Sequence, residues 1–571
     1  MPDEKIDIKK ELLHFLLLKV KEKELAPEIV KQFLKEINKA ADTPKKQEEQ
    51  KSDDIAIIGI SCRFPDADCP EEFWDNLVSG KVSIGTFPEQ RREDYERVGQ
   101  KTKGTLKGGY LESVDKFDPE YFNIPPAVAL NMDPYHRIML EIFVEAIEEA
   151  GYCRSQIKGS NMGVFVGNDH SHRLMNSYLS YLSNTDFTAI MGSWTGVLAS
   201  RIAYLFNLTG PALVVDSGCS SSLLALDHAV KALKEGDCET ALVGGINLLF
   251  YPTGINEETQ SPDSVVRAFD QEANGTVWSE GAASILLKPL DKAIKDKDHI
   301  HGVIKGIATN NDGKTNGLTA PSAKAQYDVI IKAWERAKIL PETISYIETH
   351  GTGTRLGDPI EVKGLTDAFR KYTNKQQFCG IGSVKTNIGH TVGVSGLASI
   401  IKVLLCMENK MLPASKNFKV PNPYINFINS PVYVVDHLMQ WESNGHSRRA
   451  GVSGFSLAGT NCHVVLEEAP EPTKVSTNRP EVYVLSGRTI DLLKEDAYKQ
   501  LNSIIRQPHV SIGDRCFTAA TGREHYKYRA AIICDDLKGL KAGLKTLISL
   551  LQGDKVEEAS QGIQLQVYLK C

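Results

Sequence analysis

From residue 54 to residue 468, short β-branched apolar runs alternate with longer stretches of helical periodicity, and Gly-rich turns separate them. Examples of the strand-like runs are Ile55–Gly59, Met162–Gly167, Leu213–Asp216, Thr240–Gly244, Tyr346–Glu348, Phe378–Val384 and His463–Leu466. This alternation predicts one continuous α/β body. A body of about 415 residues exceeds an ordinary domain, so two fused halves are expected, although no internal sequence repeat marks them.

The flanks differ from the body. Residues 1–52 hold 12 Lys but no Arg and no Gly. Ile8, Leu12, Phe15, Leu16 and Val20 fall at helical spacing, and a second helix is expected from Pro27 with Val30, Phe33, Leu34 and Ile37 on its apolar stripe. Two short amphipathic helices cannot bury both stripes between themselves. They therefore lie on the main body or complete a helical bundle with another chain. Residues 42–53, rich in Lys, Gln, Glu, Asp and Ser, read as a solvated linker. Beyond the body, Pro470, Pro472 and Pro480 mark a boundary. A small α/β pattern follows: strand Val482–Leu485, helix Leu492–Ile505, strand Ala530–Cys534 and helix Leu537–Leu551. Gly553–Cys571 has no strong pattern.

Composition narrows the function classes. With 66 Lys and Arg against 72 Asp and Glu, the net charge is −6, which points to neither nucleic acid nor anionic lipid. No apolar run approaches the roughly 20 residues of a membrane helix; Phe15–Leu18 and Leu397–Ile401 are short and bounded by charge. The start of the chain does not read as a signal peptide. The 11 cysteines are scattered without a C-x-x-C pair, so neither a zinc site nor a disulfide framework is expected, and a reducing cytoplasm is the default.

Three motifs carry chemistry. In Pro211–Leu223 an apolar strand runs into Asp216-Ser217-Gly218-Cys219-Ser220-Ser221-Ser222 and a helix follows, with Leu223, Leu226, Val230 and Leu233 as its apolar stripe and Asp227, Lys231 and Lys234 on other faces. The arrangement resembles a nucleophile elbow. It places Cys219 at a helix N-terminus, where the dipole and backbone N–H groups favour the thiolate. The competing reading is a buried structural cysteine. In Ile347-Glu348-Thr349-His350-Gly351-Thr352-Gly353-Thr354, followed by Arg355–Glu361, a strand delivers His350 into a loop of small residues. In Ile381–His390 a strand ends and Gly389-His390 precedes a helix starting near Ser395, with Lys385 five residues before His390. Each histidine alone could be structural. A thiol with two strand-end histidines suggests a chemistry that stabilises an enolate or drives a decarboxylation, beyond what a Cys/His hydrolase needs.

With these residues in view, Asp54 to about Ala469 resembles the ketosynthase domain of modular polyketide synthases. The matching runs are Ile58–Pro65, Met132-Asp133-Pro134, the Cys219 elbow, the His350 run, Lys385–His390 and Gly459–Glu467. Residues 480–535, including Thr521–His525, resemble the small linker domain that follows such ketosynthases. The first 50 residues resemble helical docking segments of bacterial synthases, of the kind served by a trans-acting acyltransferase.

The resemblance implies a thiolase-like αβαβα layered α/β fold, with an N-terminal helical hairpin and a small C-terminal α/β linker domain. The implied division is a docking segment and linker over 1–52, a ketosynthase over 53–469 with halves at about 53–305 and 306–469, and a linker domain over 470–571. It implies a homodimer that takes an acyl chain on Cys219 and condenses it with malonyl-carrier protein by decarboxylative Claisen chemistry. His350 and His390 would stabilise the enolate, Lys385 would support them, and the backbone N–H groups of Cys219 and Leu457 would form an oxyanion hole. No cofactor or metal would be bound on this chain; the phosphopantetheine arm would come from an acyl carrier protein. A trans-acting acyltransferase and a neighbouring synthase chain, the latter through the N-terminal helices, would be further partners. The alternatives are a non-elongating, acyl-transferring ketosynthase, for which the presence of His350 is unfavourable, and a docking scaffold. Three positions depart from the family pattern: Ser217-Gly218 for Thr-Ala, Phe455-Ser456 for Phe-Gly, and Trp278-Ser279 for Arg-Gly. The first two bear on the shape of the elbow and the mobility of a gating loop. Gly445–Arg449 begins like an acyltransferase elbow, but Arg449 stands where its last glycine belongs.

Overall fold

The computed structural model describes residues 53–97, 107–170, 178–182, 186–250, 259–443, 445–471, 479–508 and 510–553. The helices expected within residues 8–37, and the segment after Gly553, lie outside the described residues. Eleven strands form one mixed sheet: β1 (Ile55–Arg63), β2 (Met162–Asn168), β3 (Ala212–Val215), β4 (Thr240–Asn247), β5 (Gly281–Pro289), β6 (Gly302–Asn311), β7 (Tyr346–Glu348), β8 (Cys379–Gly382), β9 (Val432–Val434), β10 (Arg449–Phe455) and β11 (Thr460–Glu468). Their order is β9-β8-β7-β10-β11-β6-β1-β5-β4-β2-β3.

That order contains a repeat. The first five strands stand as β1-β5-β4-β2-β3, with two antiparallel pairings followed by two parallel ones. Strands β6-β11-β10-β7-β8 repeat the same sequence of pairings, and β9 extends it in parallel. The two sets meet where Ile55–Ile57 pair with Gly302–Ile304. The repeat is one of topology, which many apolar patterns satisfy; this is why it leaves no trace in the residues.

Helices α1 (Pro134–Glu149) and α2 (Val197–Phe206) cover the first set of strands, and α4 (Ala323–Ala337) and α5 (Gly357–Arg370) cover the second. Helix α1 starts where its pattern says: Asp133 accepts the Tyr135 N–H and Pro134 occupies the first turn, where a missing N–H costs nothing. Helices α3 (Ser221–Glu235) and α6 (Ser395–Asn409) lie in the middle and share one core with strands of both sets. Of the two, α6 is enclosed on every side, whereas α3 leaves His228, Lys231, Lys234 and Glu235 exposed. Every residue of α6 from Ser395 to Met407 is buried, and Val392–Asn409 is long and apolar enough by composition to cross a membrane, with mean hydropathy 1.4, yet 89% of it is buried inside the protein. This corrects the expectation that no apolar segment reaches such a length; Ser395, Ser399 and Lys402 break the run in sequence. Enclosure also buries Asp227 of α3, expected on a polar face, which is 1% exposed and pairs with Lys231 at 2.5 Å.

The C-terminal region forms its own core. Strands β12 (Glu481–Gly487) and β13 (Tyr528–Cys534) pair antiparallel, with alternating burial that leaves one face to α7 (Ile490–Arg506), α8 (Ile512–Thr521) and α9 (Leu537–Gln552). Arg523 donates to the Glu148 carbonyl at 2.6 Å, and Glu524 accepts the Ser155 N–H at 2.7 Å. Gly522 approaches the Gly151 carbonyl so closely that a Cβ would stand 2.4 Å from its oxygen.

Candidate active site

The repeat places the chemistry. Cys219 follows β3, Lys385 and His390 follow β8, and these strands hold equivalent places in the two sets. His350 follows β7, the neighbour of β8. The site thus forms at the C-terminal ends of parallel strands, where α/β sheets open a crevice.

The elbow is built from small polar groups. Residues Gly218–Ser220 form a 3-10 turn ahead of α3, and Gly218 takes φ +64°, a conformation that glycine adopts without Cβ strain. The Ser221 hydroxyl accepts the Ser217 N–H at 2.8 Å and donates to the Gly218 carbonyl at 2.7 Å. Gly167 of β2 lets the start of α3 approach, since a Cβ there would stand 2.4 Å from the Ser222 nitrogen. Cys219 is 6% exposed. Burial pushes its thiol up to about 12, and Asp169 adds to this, while Lys385 and the N–H groups of Leu457 and Cys219 oppose it. The backbone N–H groups at the helix start favour the thiolate as the sequence suggests, but desolvation outweighs them.

The histidine loops are built from buried charge. Both oxygens of Glu361 are used, one accepting the His350 N–H at 2.7 Å and the other the Gly351 N–H at 2.8 Å. Asp358 accepts from Phe269 at 2.7 Å and Gly353 at 3.2 Å. Burial raises each of these carboxyls to about 7. Glu348 accepts the Tyr346 hydroxyl at 2.7 Å and the Val384 N–H at 2.6 Å, and pairs with Lys402 at 2.7 Å with both side chains fully enclosed. Burial pushes the Lys385 ammonium down, opposed by Glu348, Glu361, Cys219 and Asp358. Burial and the Lys385 charge hold His350 well below the usual imidazole range, so this ring is neutral at pH 7.

His390 closes the site. Its Nε2 lies 3.1 Å from Cys219 Sγ, and its ring stands 5.5 Å from that of His350 at 84°. The His390 Nδ1 accepts the Val392 N–H at 3.2 Å, which leaves the ring proton on Nε2 and presents a donor to the sulfur. The His390 N–H donates to the Val277 carbonyl at 2.7 Å and its carbonyl accepts from Ser279 at 3.0 Å. Trp278, between them, stacks on the imidazole at 5.5 Å and 26°.

The structure thus brings together Cys219, His350, His390, Lys385 and the Leu457 N–H. Sequence reasoning missed Asp358, Glu361, Glu348 and Lys402 as supports. Asp358 and Glu361 lie three residues apart just after the His350 loop, a spacing that puts two acids on one face of a helix start. No local signal pairs Glu348 with Lys402. Arg448 and Arg449, in the false elbow, pair with Glu468 at 2.7 Å and Glu467 at 2.6 Å. Among the described residues no group of three or more His, Cys, Asp or Glu is placed to hold a metal.

Three family models match the chain: the β-ketoacyl synthase N-terminal domain over residues 52–293, its C-terminal domain over 301–419, and the ketoacyl-synthetase C-terminal extension over 421–533. Polyketide synthase PksM of Bacillus subtilis (strain 168) is 39% identical over 513 residues, covering 88% of this chain and 12% of that protein. Erythronolide synthase EryA2 of Saccharopolyspora erythraea is 38% identical over 513 residues, covering 87% of this chain and 14% of that protein. The chain therefore spans about a tenth of the length of the curated relatives it matches. Among solved structures, the ketosynthase from module 6 of the bacillaene synthase from Bacillus subtilis 168 is 40% identical with a TM-score of 0.79, covering 87% of this chain and 85% of that one. An oxazolomycin ketosynthase domain from Streptomyces albus JA3453 is 32% identical with a TM-score of 0.80, covering 87% and 89%.

Proposed function

The chain belongs to the β-ketoacyl synthase family, with its thiolase-like fold, and we propose that it is the ketosynthase of a polyketide assembly line that elongates an acyl chain by decarboxylative condensation. The observation that carries this is the triangle of Cys219, His390 and His350: a thiol 3.1 Å from one imidazole and a second imidazole 5.5 Å from the first.

The chemistry follows from the hydrogen-bond donors. An acyl thioester arrives on the phosphopantetheine arm of a carrier protein. Cys219 Sγ bonds to the acyl carbon, the bond to the arm's sulfur breaks, and the thiol proton leaves with the departing sulfur. The N–H groups of Cys219 and Leu457 face the oxyanion of that step. A malonyl thioester on a carrier then loses carbon dioxide. The N–H donors of His350 and His390 receive the enolate oxygen, and both must stay neutral or protonated to donate. The enolate carbon bonds to the acyl carbon and the bond to Cys219 breaks; the released thiolate takes up one proton from solvent, the one proton that the condensation consumes.

Carrier proteins are thus the required partners, and a trans-acting acyltransferase would load the extender. A neighbouring synthase chain would dock through the N-terminal helices, and the setting is the cytoplasm. Division of the chain at about residues 52, 305 and 469 belongs to the same proposal. A homodimer belongs to the same proposal and is supported by a group of exposed apolar side chains, Phe187, Ile190 and Trp194, which are 73%, 46% and 59% exposed. Intact-mass spectrometry after mixing with acyl- and then malonyl-carrier protein tests the assignment. An adduct on Cys219 that converts to β-ketoacyl product supports it. An adduct that persists without product supports the non-elongating, acyl-transferring alternative.

A further inference from the structure

Two of the departures from the family pattern touch each other beside the nucleophile. Gly218 immediately precedes Cys219 at φ +64°, and a Cβ built on it would stand 2.7 Å from the hydroxyl oxygen of Ser456. That hydroxyl is engaged: it accepts the Ala458 N–H at 3.1 Å. The Ser456 N–H donates to the Thr460 carbonyl at 3.0 Å, and the Gly459 N–H donates to the Ser456 carbonyl at 2.9 Å. Residues 456–459 therefore form a turn in which the N–H groups of 456, 458 and 459 are spent on the turn itself. The Leu457 N–H is not spent on the turn, and it is one of the groups that oppose the upward shift of the Cys219 thiol.

We propose that Gly218 and Ser456 form a coupled pair in which Ser456 is a positioning residue: its hydroxyl fixes the turn that aims the Leu457 N–H at the acyl carbon's oxyanion, and Gly218 is the residue that leaves room for it. This rests on the reading of Cys219 as the acyl acceptor. A glycine at 456 would remove the acceptor of the Ala458 N–H and loosen the turn. An alanine at 218 would force the hydroxyl to rotate away from that N–H, and would add the Cβ strain of a left-handed conformation. The two substitutions therefore act on one contact and must not combine independently. Serine at 456, whose bulk puts loop mobility in question from sequence, thus ties the loop down where glycine would free it.

The experiment is a four-way cycle of Gly218→Ala, Ser456→Gly, the double variant and wild type, with Ser456→Ala as a fifth protein. Single-turnover acylation from an acyl-carrier protein is followed by intact mass across donor concentrations. Ser456→Gly and Ser456→Ala should lower the maximal rate about tenfold, a fraction of the loss from deleting an oxyanion donor, with the donor concentration at half-maximal rate unchanged. Gly218→Ala should be slower still, and the double variant should acylate faster than Gly218→Ala alone. A double variant whose loss is the product of the two single losses would overturn the pair, as would wild-type rates in both Ser456 variants. If Gly218→Ala fails to fold, the two Ser456 variants decide the matter. Absence of any adduct on wild type would instead overturn the ketosynthase reading.

Discussion

The two sides of the active site are made of different material. The elbow that holds Cys219 is secured mainly by neutral groups, the serine hydroxyls, backbone groups and glycines of Ser217, Gly218, Ser220 and Ser221, with one carboxylate, Asp216, accepting the Gly218 N–H at 3.2 Å. The side that holds His350, Lys385 and His390 is braced by buried charge, through Glu348, Lys402, Glu361 and Asp358. The difference matches the tasks of the proposed reaction. There the elbow would admit an acyl thioester and pass through a charged intermediate that its own N–H groups stabilise. The histidine side would keep two hydrogen-bond donors fixed while a carboxylate becomes carbon dioxide, and preorganised charge would do this with little reorganisation.

The largest way to break the comparison is at the elbow. Cys219→Ala should abolish the acyl adduct altogether while far-ultraviolet circular dichroism stays that of wild type. An adduct in that variant on Cys153 or Cys462, located by peptide mapping, would move the nucleophile elsewhere. On the other side, His350→Ala should still acylate within about threefold of wild type but lose condensation by about a hundredfold or more, the cost of one missing oxyanion donor. Equal losses in both half-reactions would mean that the two sides are not separable.

Stability should divide along the same line. Glu348→Gln leaves the Lys402 ammonium enclosed with a neutral partner, a situation that costs about 3–5 kcal/mol in buried pairs. Ser217→Ala removes a hydroxyl that bonds Ser220 at 3.1 Å, a loss of about 1 kcal/mol. Denaturant unfolding of both variants gives the ratio; equal losses would erase the distinction between a charged and a neutral side.

The same distinction explains what the sequence makes legible. Cys219, His350, Lys385 and His390 can be picked out because each sits just past a strand-like run, so a local pattern fixes where it is delivered. The strands are all present, but their ends move: β1 continues to Arg63, which pairs with Glu141 at 2.7 Å, and β11 begins at Thr460 rather than His463. Those extensions depend on partners far along the chain. The braces are hidden for the same reason, since Glu348 and Lys402 lie 54 positions apart and only the fold makes them neighbours. The resting protonation of Cys219 is also tertiary: the helix start is visible in the sequence, and the enclosure that outweighs it is not.

A pH effect sharpens the comparison further. Asp358 and Glu361 sit near 7 in the folded chain, against about 4 when unfolded. Between those values the folded state binds more protons than the unfolded one, so stability falls as pH rises from about 4 to 7 and levels off above. Glu361→Gln should remove part of that slope, measured as the melting midpoint across the window, whereas Ser217→Ala should shift the curve without changing its slope. A Glu361→Gln curve parallel to wild type would show that Glu361 does not titrate in this range.

The smallest effect is expected where the two sides meet. Trp278 stacks on His390 at 5.5 Å while its neighbours Val277 and Ser279 clamp the histidine backbone. The backbone clamp survives any change of side chain, so the indole contributes only the tilt and enclosure of the ring. Trp278→Phe keeps an aromatic face and should change neither half-reaction by more than about twofold. Trp278→Ala removes the face, and a stacked aromatic pair is worth about 0.5–1.5 kcal/mol, so condensation should fall by roughly threefold to tenfold. Acylation should fall less, because the Cys219 and Leu457 N–H groups that serve it do not depend on the imidazole. Because Trp278 is one of 5 tryptophans, the Trp278→Phe variant also isolates its fluorescence by difference. That signal should change when Cys219 becomes acylated and its sulfur no longer accepts from His390 Nε2–H. A difference spectrum that stays constant through acylation would show that the His390 ring, and with it the link between the neutral and charged sides, does not respond to the state of the thiol.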